Sequence, residues 1–401
     1  MKMSNIQKFI TYGMVINVFF VIYLFRIINN YQLLAILLMF SIFAVHLDQK
    51  HKNQYNIQLH WIYFIVALSI STLFSINPGE SSKYLFMFFA ITYISANIKR
   101  YGNYRNILVK LFVNLSIIEV IFVFLQYSFP SFINLINASI LPPDIFESAM
   151  LLVSVGDNYS GIAGDLPNAM LFSSIVFIFG FLKFLIEKKK FYLLFMILGL
   201  ISILLNGKRI AILIIAFSSL FIYYTFLKSQ QKFSFKNFLP LIIILFLVSI
   251  VVLYTDFSQS LVEKNKVLIE SGDVTNGREE LNQRMFNIFL DNPILGVGPL
   301  ATTTLTKGEF LGHNIYLMML SECGILGLAT LVYLLLRTLL KTIRTIYRGD
   351  NCLYIYMSLF IQIFFIIYGF TGNPIYGPIF LTTYILFAIN ENRNTYLPSR
   401  Q

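Results

Sequence analysis

Long apolar runs alternate with short polar segments along almost the whole chain. The runs contain about 15 to 23 residues, close to the roughly 20 that a helix needs to cross a bilayer. They do not alternate polar and apolar residues as the strands of a membrane barrel do. Backbone groups in hydrocarbon must pair within their own segment, so the runs are predicted to be helices. There are twelve runs: 9–25, 31–47, 61–76, 84–98, 107–129, 169–186, 191–205, 210–227, 238–254, 315–336, 352–369 and 375–390.

The pattern predicts an all-α integral membrane protein with about twelve transmembrane helices and a large extracytoplasmic loop containing short helices. Two connections are much longer than the others, and long connections in a compact fold are usually functional or disordered. They divide the chain into five predicted parts: helices one to five (1–129), an outer loop (130–168), helices six to nine (169–254), a large catalytic loop (255–314), and helices ten to twelve with a cytoplasmic tail (315–401).

The large loop contains one predicted helix, from Arg278 to Leu290. Asn276 can cap its start and Pro293 lies beyond its end. Arg278 falls at the centre of the apolar face of this helix, where a cation is costly unless it meets an anion. Arg284 falls on the flank of that face. The apolar face itself consists of Leu281, Met285, Ile288 and Phe289.

Composition and charge support a membrane location. Hydrophobic residues make up 57% of the chain and charged residues 12%, whereas soluble domains have about 25% charged residues. A net charge of +11 in a soluble chain would suggest nucleic acid. Here the basic residues concentrate in alternate short connections, so the positive-inside rule explains them. This rule predicts that both termini are cytoplasmic and that both long connections lie outside, and no nucleic-acid partner is expected. The first span is predicted to stay uncleaved, because Phe25-Arg26-Ile27 follows it instead of a small-residue cleavage site.

His313 is the only histidine predicted to face outward. A neutral histidine at a membrane boundary can act as a general base near neutral pH. The alternative is that it only caps or orients the start of a helix. The sequence has no His-Glu-x-x-His motif, no Cys/His cluster and no Asp-x-Asp motif, so neither a metal site nor a cofactor is expected. The two cysteines, Cys323 and Cys352, are not expected to pair.

Lys208 and Arg209 form a cationic pair in a predicted outer turn. Interfacial snorkelling would explain such a pair, but the positive-inside rule makes outer cations the minority. The planar arginine fork suits a diphosphate. Together with Arg278 and Arg284, this pair could therefore hold one diphosphate at the outer surface.

Charged residues also lie within the predicted spans, at Lys110, Glu119 and Glu322. Charges inside a membrane are functional candidates. Glu322 follows His313 by two and a half helical turns. It could pair with an outer arginine or be buried in its protonated form, so structural and functional roles both remain open.

Several of these motifs resemble those of the O-antigen ligase and polymerase superfamily. The resemblance rests on His313-Asn314-Ile315-Tyr316-Leu317 with Glu322, on Asn276-Gly277-Arg278, on Gly207-Lys208-Arg209 and on Gly164-Asp165-Leu166-Pro167-Asn168. It covers residues from about 160 to 330. The first 150 residues agree with the superfamily only in hydropathy.

The resemblance implies a metal-independent, inverting transfer of a glycan from undecaprenyl diphosphate at the outer face of the cell inner membrane. His313 would take the proton of the acceptor hydroxyl, Arg209 and Arg278 would bind the diphosphate, and Lys208 and Arg284 would assist. Asn314 and Glu322 would support the site. A repeat-unit polymerase of O-antigen or capsule is favoured, because the His313 to Leu317 form with Glu322 looks more like polymerases. A ligase acting on lipid A core and a flippase remain as alternatives, and a chain-length regulator and a flippase are candidate partners.

Overall fold

A computed structural model describes residues 3–24, 30–47, 58–99, 104–156, 158–231, 278–305, 312–349 and 352–388. All regular structure in these ranges is helical. We number the helices in chain order: α1 Met3–Leu24, α2 Asn30–Leu47, α3 Leu59–Leu73, α4 Pro78–Ile98, α5 Tyr104–Ser128, α6 Pro130–Ile140, α7 Pro143–Gly156, α8 Leu166–Glu187, α9 Tyr192–Leu205, α10 Arg209–Ser229, α11 Arg278–Asp291, α12 Thr302–Leu305, α13 Ile315–Tyr347, α14 Leu353–Tyr368 and α15 Pro378–Ala388.

The predicted apolar runs coincide with helices wherever the structure describes them, and only the run 238–254 lies outside the described residues. Among the residues that the structure describes, four helices are long and apolar enough to cross a membrane, namely α5, α8, α10 and α13. Six shorter apolar helices accompany them. The all-helical membrane fold is thus supported, and the number of twelve crossings stays a prediction.

The connection 130–168 is more ordered than the sequence indicated, because it contains α6 and α7. Pro130 and Pro143 were interpreted as loop residues, yet each is the first residue of a helix. Proline is favoured at this position, where its missing N–H would have had no partner within the helix. Ile133 and Asn137 on α6 are buried against the rest of the bundle.

Helix α13 is not straight, because Gly324 interrupts it with φ 63° and ψ −167°. Ile315 N donates to Gly369 O at 2.9 Å, and Gln362 Nε2 donates to Thr342 Oγ1 at 2.8 Å. Gln362 and Gly369 lie roughly 10 Å apart along α14, whereas a straight helix would separate Ile315 from Thr342 by about 40 Å. The first half of α13 therefore folds back at Gly324 towards the end of α14. This corrects the uninterrupted span predicted at 315–336.

The loop between α11 and α12 fills the break in α13. Val297 N donates to Ser321 O at 3.2 Å, and Gly298 N donates to Glu322 O at 2.8 Å. On the other side of the break, Ile325 N donates to Pro293 O at 2.9 Å. Irregular backbone inside a membrane protein must be satisfied by protein groups, and here this loop supplies both the donors and an acceptor.

We expect α11 to face the outside of the cell and the turn between α13 and α14 to face the cytoplasm. Asn287 on α11 and Arg348 in that turn are both exposed. In a variant without native cysteines, an impermeant maleimide should label Asn287→Cys in intact cells. It should leave Arg348→Cys unlabelled until the cells are permeabilised, and the opposite pattern would refute the topology.

Candidate functional site

His313 lies directly before the start of α13 and is exposed. The next residue, Asn314, caps the helix, since its side-chain oxygen accepts hydrogen bonds from Tyr316 N at 2.9 Å and Leu317 N at 3.3 Å. On the other side of His313, the Gly312 carbonyl accepts a hydrogen bond from the Asn373 side chain. The backbone of His313 is thus held on both sides while its ring stays accessible.

Helix α11 packs along the first half of α13 in the same direction, since each ends beside the break at Gly324. Its buried Met285 accepts a hydrogen bond from Ser321 Oγ at 3.5 Å and lies against Gly312, while Pro293 beyond the end of α11 lies beside the break at Gly324. Moving from Pro293 back to Arg278 therefore leads from the break towards His313. The structure confirms the predicted helix, and the burial of Met285 confirms its apolar face. The start of α11 lies at the same end as His313. The inward direction of the Arg278 side chain stays a prediction.

Arg284 points away from the packed face of α11. Its Nη2 atom lies 2.6 Å from Glu280 Oε1, one helical turn earlier, and both side chains are largely exposed. Exposed pairs of this kind contribute at most about 1 kcal/mol. An anion could therefore replace Glu280 as the partner of Arg284 at little cost in free energy. Among the described contacts, Arg284 takes part in this surface ion pair.

Lys208 lies at the end of the turn between α9 and α10, and Arg209 is the first residue of α10. Gly207 in this turn has a φ of 66°, and a Cβ atom there would collide with the side chain of Asn158. Tyr159 N also donates to Leu205 O at 3.0 Å. Residues 158 and 159, shortly before the Gly164–Asn168 motif, are therefore packed directly on the Gly207–Arg209 turn, a contact that the sequence had not predicted.

Asp165 joins these two motifs. Its carboxylate caps α8 by accepting a hydrogen bond from Asn168 N at 2.7 Å. Burial raises the pKa of Asp165 to about 6, while the hydrogen bond from Asn168 and the charge of Lys208 act against this rise. Lys208 thus lies close enough to Asp165 to interact with it electrostatically, and the sequence reasoning had not identified this pair.

The starts of α10 and α13 lie at the same end of the bundle. At the opposite end, Lys228 Nζ lies 5.2 Å from the Tyr347 ring centroid and the Phe226 ring lies 6.0 Å from the Tyr356 ring. Helix α10 also packs against both α13 and α14. We count about 1.5 Å for each helical residue from the contact between Phe226 and Tyr356. On this count, Arg209 and the end of α14 lie within about 10 Å of each other along the bundle axis.

Three helix starts, those of α10, α11 and α13, therefore face one end of the bundle. Helix starts carry unpaired N–H groups and a partial positive charge, so they favour anions. Lys208, Arg209 and Arg278 add full positive charges at two of these starts, and His313 stands before the third. The arrangement suits a ligand with a diphosphate next to a group that gives up a proton.

Two buried glutamates hold the outer segments against the bundle. Glu322 is fully buried and accepts hydrogen bonds from Leu300 N at 2.9 Å and from the Thr302 hydroxyl. Glu119 on α5 is also buried and accepts from Ala163 N at 3.1 Å. Their described partners favour the structural reading, which the sequence had left open beside a functional one.

The segment after α14 is the part of the site that sequence reasoning missed. Gly369 accepts the hydrogen bond from Ile315 N, and Asn373 binds the Gly312 carbonyl. Tyr316 Oη also donates to Ile366 O at 2.9 Å. The run of Gly, Asn and Pro residues between 369 and 377 is a turn signal, but nothing in its spacing indicates the neighbour that it contacts.

Gly324→Ala is expected to destabilise this end of the bundle. A Cβ atom at Gly324 would collide with the Ile294 carbonyl, and the positive φ with a ψ of −167° is a backbone region that costs a non-glycine residue about 1–3 kcal/mol before any collision. Gly349 has a φ of 93° with open space around it, so Gly349→Ala is a matched control. Thermal unfolding in detergent should show a clearly larger loss for Gly324→Ala, and equal losses would refute the packed break.

Comparison with known proteins identifies part of the chain. Residues 191–332 match the family model described as O-antigen ligase. The matched range contains the Gly207–Arg209 turn, α11 and the His313 segment, which are the elements of the site. A comparison with curated proteins gave no match. The resemblance that the sequence motifs indicated is therefore confirmed over residues 191–332, whereas the Gly164–Asn168 motif lies outside the matched range.

Proposed function

Because residues 191–332 match the family model described as O-antigen ligase, we propose that the chain is a repeat-unit polymerase of a surface polysaccharide. It transfers a glycan from an undecaprenyl diphosphate carrier to a sugar hydroxyl at the outer face of the inner membrane. The observation that carries this proposal is the common placement of His313 and the starts of α10 and α11. A base and a diphosphate-binding region are thereby supplied at one end of the bundle.

In the proposed reaction, His313 takes the proton from the acceptor hydroxyl. The hydroxyl oxygen forms a bond to the anomeric carbon as the bond from that carbon to the diphosphate oxygen breaks. Attack from the side opposite the diphosphate inverts the anomeric centre. Arg209 and Arg278 stabilise the negative charge that develops on the departing diphosphate, with Lys208 assisting, because charge-assisted hydrogen bonds act most strongly where charge appears in the transition state.

An O-antigen ligase is the second candidate, and the description of the matched family favours it. The chemistry would be the same, with lipid A core as the acceptor in place of a sugar on a lipid carrier. A glycan gel of a deletion strain separates the two. Single repeat units on the lipid core indicate a lost polymerase, whereas bare core with accumulated lipid-linked chains indicates a lost ligase. A flippase, the third alternative, would instead leave complete lipid-linked units on the cytoplasmic side.

We expect transfer to need no divalent metal, since the cations and the base are supplied by side chains. Purified protein in an excess of chelator should retain its activity on a lipid-linked donor. The same preparation with added magnesium or manganese is the control. Loss of activity in chelator that either metal restores would contradict the proposed mechanism.

A further inference from the structure

A second polar cluster lies where the start of α3 packs against the second half of α13, and we call the surface between these two helices the groove. His60, in the first turn of α3, is 5% exposed, yet its Nε2 atom has no hydrogen-bond partner among the described residues. Arg337 and Lys341 act electrostatically on His60, and the Tyr333 ring centroid lies 6.4 Å from that of His60. A buried polar atom without a partner is uncommon in native proteins, so the groove is expected to receive one.

Within the described residues, the two charged side chains that act on His60, namely Arg337 and Lys341, are both positive. Arg337 and Lys341 are one helical turn apart on α13 and therefore share a face. In the ranges that the structure describes, no carboxylate forms a salt bridge with either side chain. The start of α3 adds the partial positive charge of a helix N-terminus. The electrostatics of the groove thus fit an anion that comes from outside the described chain.

The borders of the groove are apolar. Leu336 and Leu340 on α13 and Ile62 on α3 are each between about two fifths and one half exposed, as lipid-facing side chains would be. A ligand that fills the groove would therefore place its anion near His60, Arg337 and Lys341 and its apolar part along these neighbours. A free phosphate ion would contact His60, Arg337 and Lys341 but would leave the apolar neighbours uncovered.

We propose that this groove binds the phosphate of an anionic phospholipid head group. Arg337 and Lys341 pair with the negative charge, the Nε2–H of neutral His60 donates a hydrogen bond to a phosphate oxygen, and the acyl chains lie along Leu336, Leu340 and Ile62. Under the predicted topology this is the cytoplasmic leaflet, which is rich in anionic lipids. The site is separate from the proposed transfer reaction, so either can be wrong without the other.

The test compares lipid retention by delipidated full-length protein in native mass spectrometry. Phosphatidylglycerol or phosphatidylcholine is added back in mixed micelles to wild type, to Arg337→Gln/Lys341→Gln and to Lys188→Gln/Lys190→Gln. The last variant removes the same charge from an exposed turn between α8 and α9. We expect the first double variant to retain at least tenfold less phosphatidylglycerol than wild type and than the control, with no difference for phosphatidylcholine.

His60→Phe is the second variant, because it keeps a buried ring and removes only the donor. It should also lower phosphatidylglycerol retention while its thermal unfolding stays close to that of wild type. Equal retention by all variants would overturn the site and indicate general interfacial charge. Displacement of the lipid by millimolar inorganic phosphate would overturn a lipid ligand and indicate a soluble anion.

Discussion

Replacing His313 with alanine is expected to abolish glycan transfer while binding of the lipid-linked donor is kept. Partial proton removal by a placed base contributes typically 10²–10⁴-fold to such a reaction. The fold should survive, because Asn314 and the contact from Asn373 to Gly312 hold the backbone without the imidazole ring. Donor affinity should survive because the cations at the starts of α10 and α11 provide it.

Product formation and donor binding should be measured on the same purified His313→Ala preparation. His46→Ala is the matched control, since His46 is an exposed histidine at the end of α2. If donor binding falls in step with activity, His313 belongs to the diphosphate-binding group. If activity survives, the base is elsewhere, and Glu309, which lies outside the described residues, becomes the first candidate.

Arg209→Ala and Arg278→Ala are expected to lose both donor binding and transfer. A lost charge-assisted hydrogen bond costs about 1.5–3 kcal/mol, which corresponds to about tenfold to more than a hundredfold for each contact. Lysine should rescue poorly at either position, because an ammonium group cannot form the two parallel hydrogen bonds of a guanidinium. The measurement is donor affinity beside the transfer rate for the alanine and lysine variants.

The control for these variants is Arg348→Ala, an exposed arginine in the turn at the other end of α13. This variant also loses one positive charge, but at a position away from the site, so its donor affinity should stay near that of wild type. Wild-type donor binding by Arg278→Ala would mean that Arg278 has a structural role. Loss of binding by Arg348→Ala to the same extent would mean that total charge, rather than its placement, governs affinity.

Hydrophobic patterning was sufficient to predict the long apolar helices that the structure describes, but it did not predict α6, α7 or α12. It also predicted α11, because Met285 and its apolar neighbours recur at helical spacing. These features depend on the chain near each residue, and this is why the sequence alone could indicate them. The cap at Asn314 was not predicted, and neither was the contact between Gly207 and Asn158, because these two residues are distant in sequence.

The break at Gly324 could not be predicted in the same way. Glycine within an apolar run is common in membrane helices, and only the loop from Pro293 to Gly298 reveals that this glycine has a positive φ. The roles of Glu119 and Glu322 were open for a similar reason. Their partners, Ala163, Leu300 and Thr302, are distant in sequence or lie across the break, so no spacing rule connects them.

The central claim is that this chain breaks a glycan–diphosphate bond with His313 as the base. The most direct measurement incubates purified protein with a synthetic lipid diphosphate-linked glycan of known anomeric configuration and follows the lipid diphosphate and the glycan together. With wild type, we expect free lipid diphosphate and new glycosidic bonds of inverted configuration to form in equal amounts. With His313→Ala, we expect neither product to form. Equal product from wild type and His313→Ala, or retained configuration, would contradict the central claim.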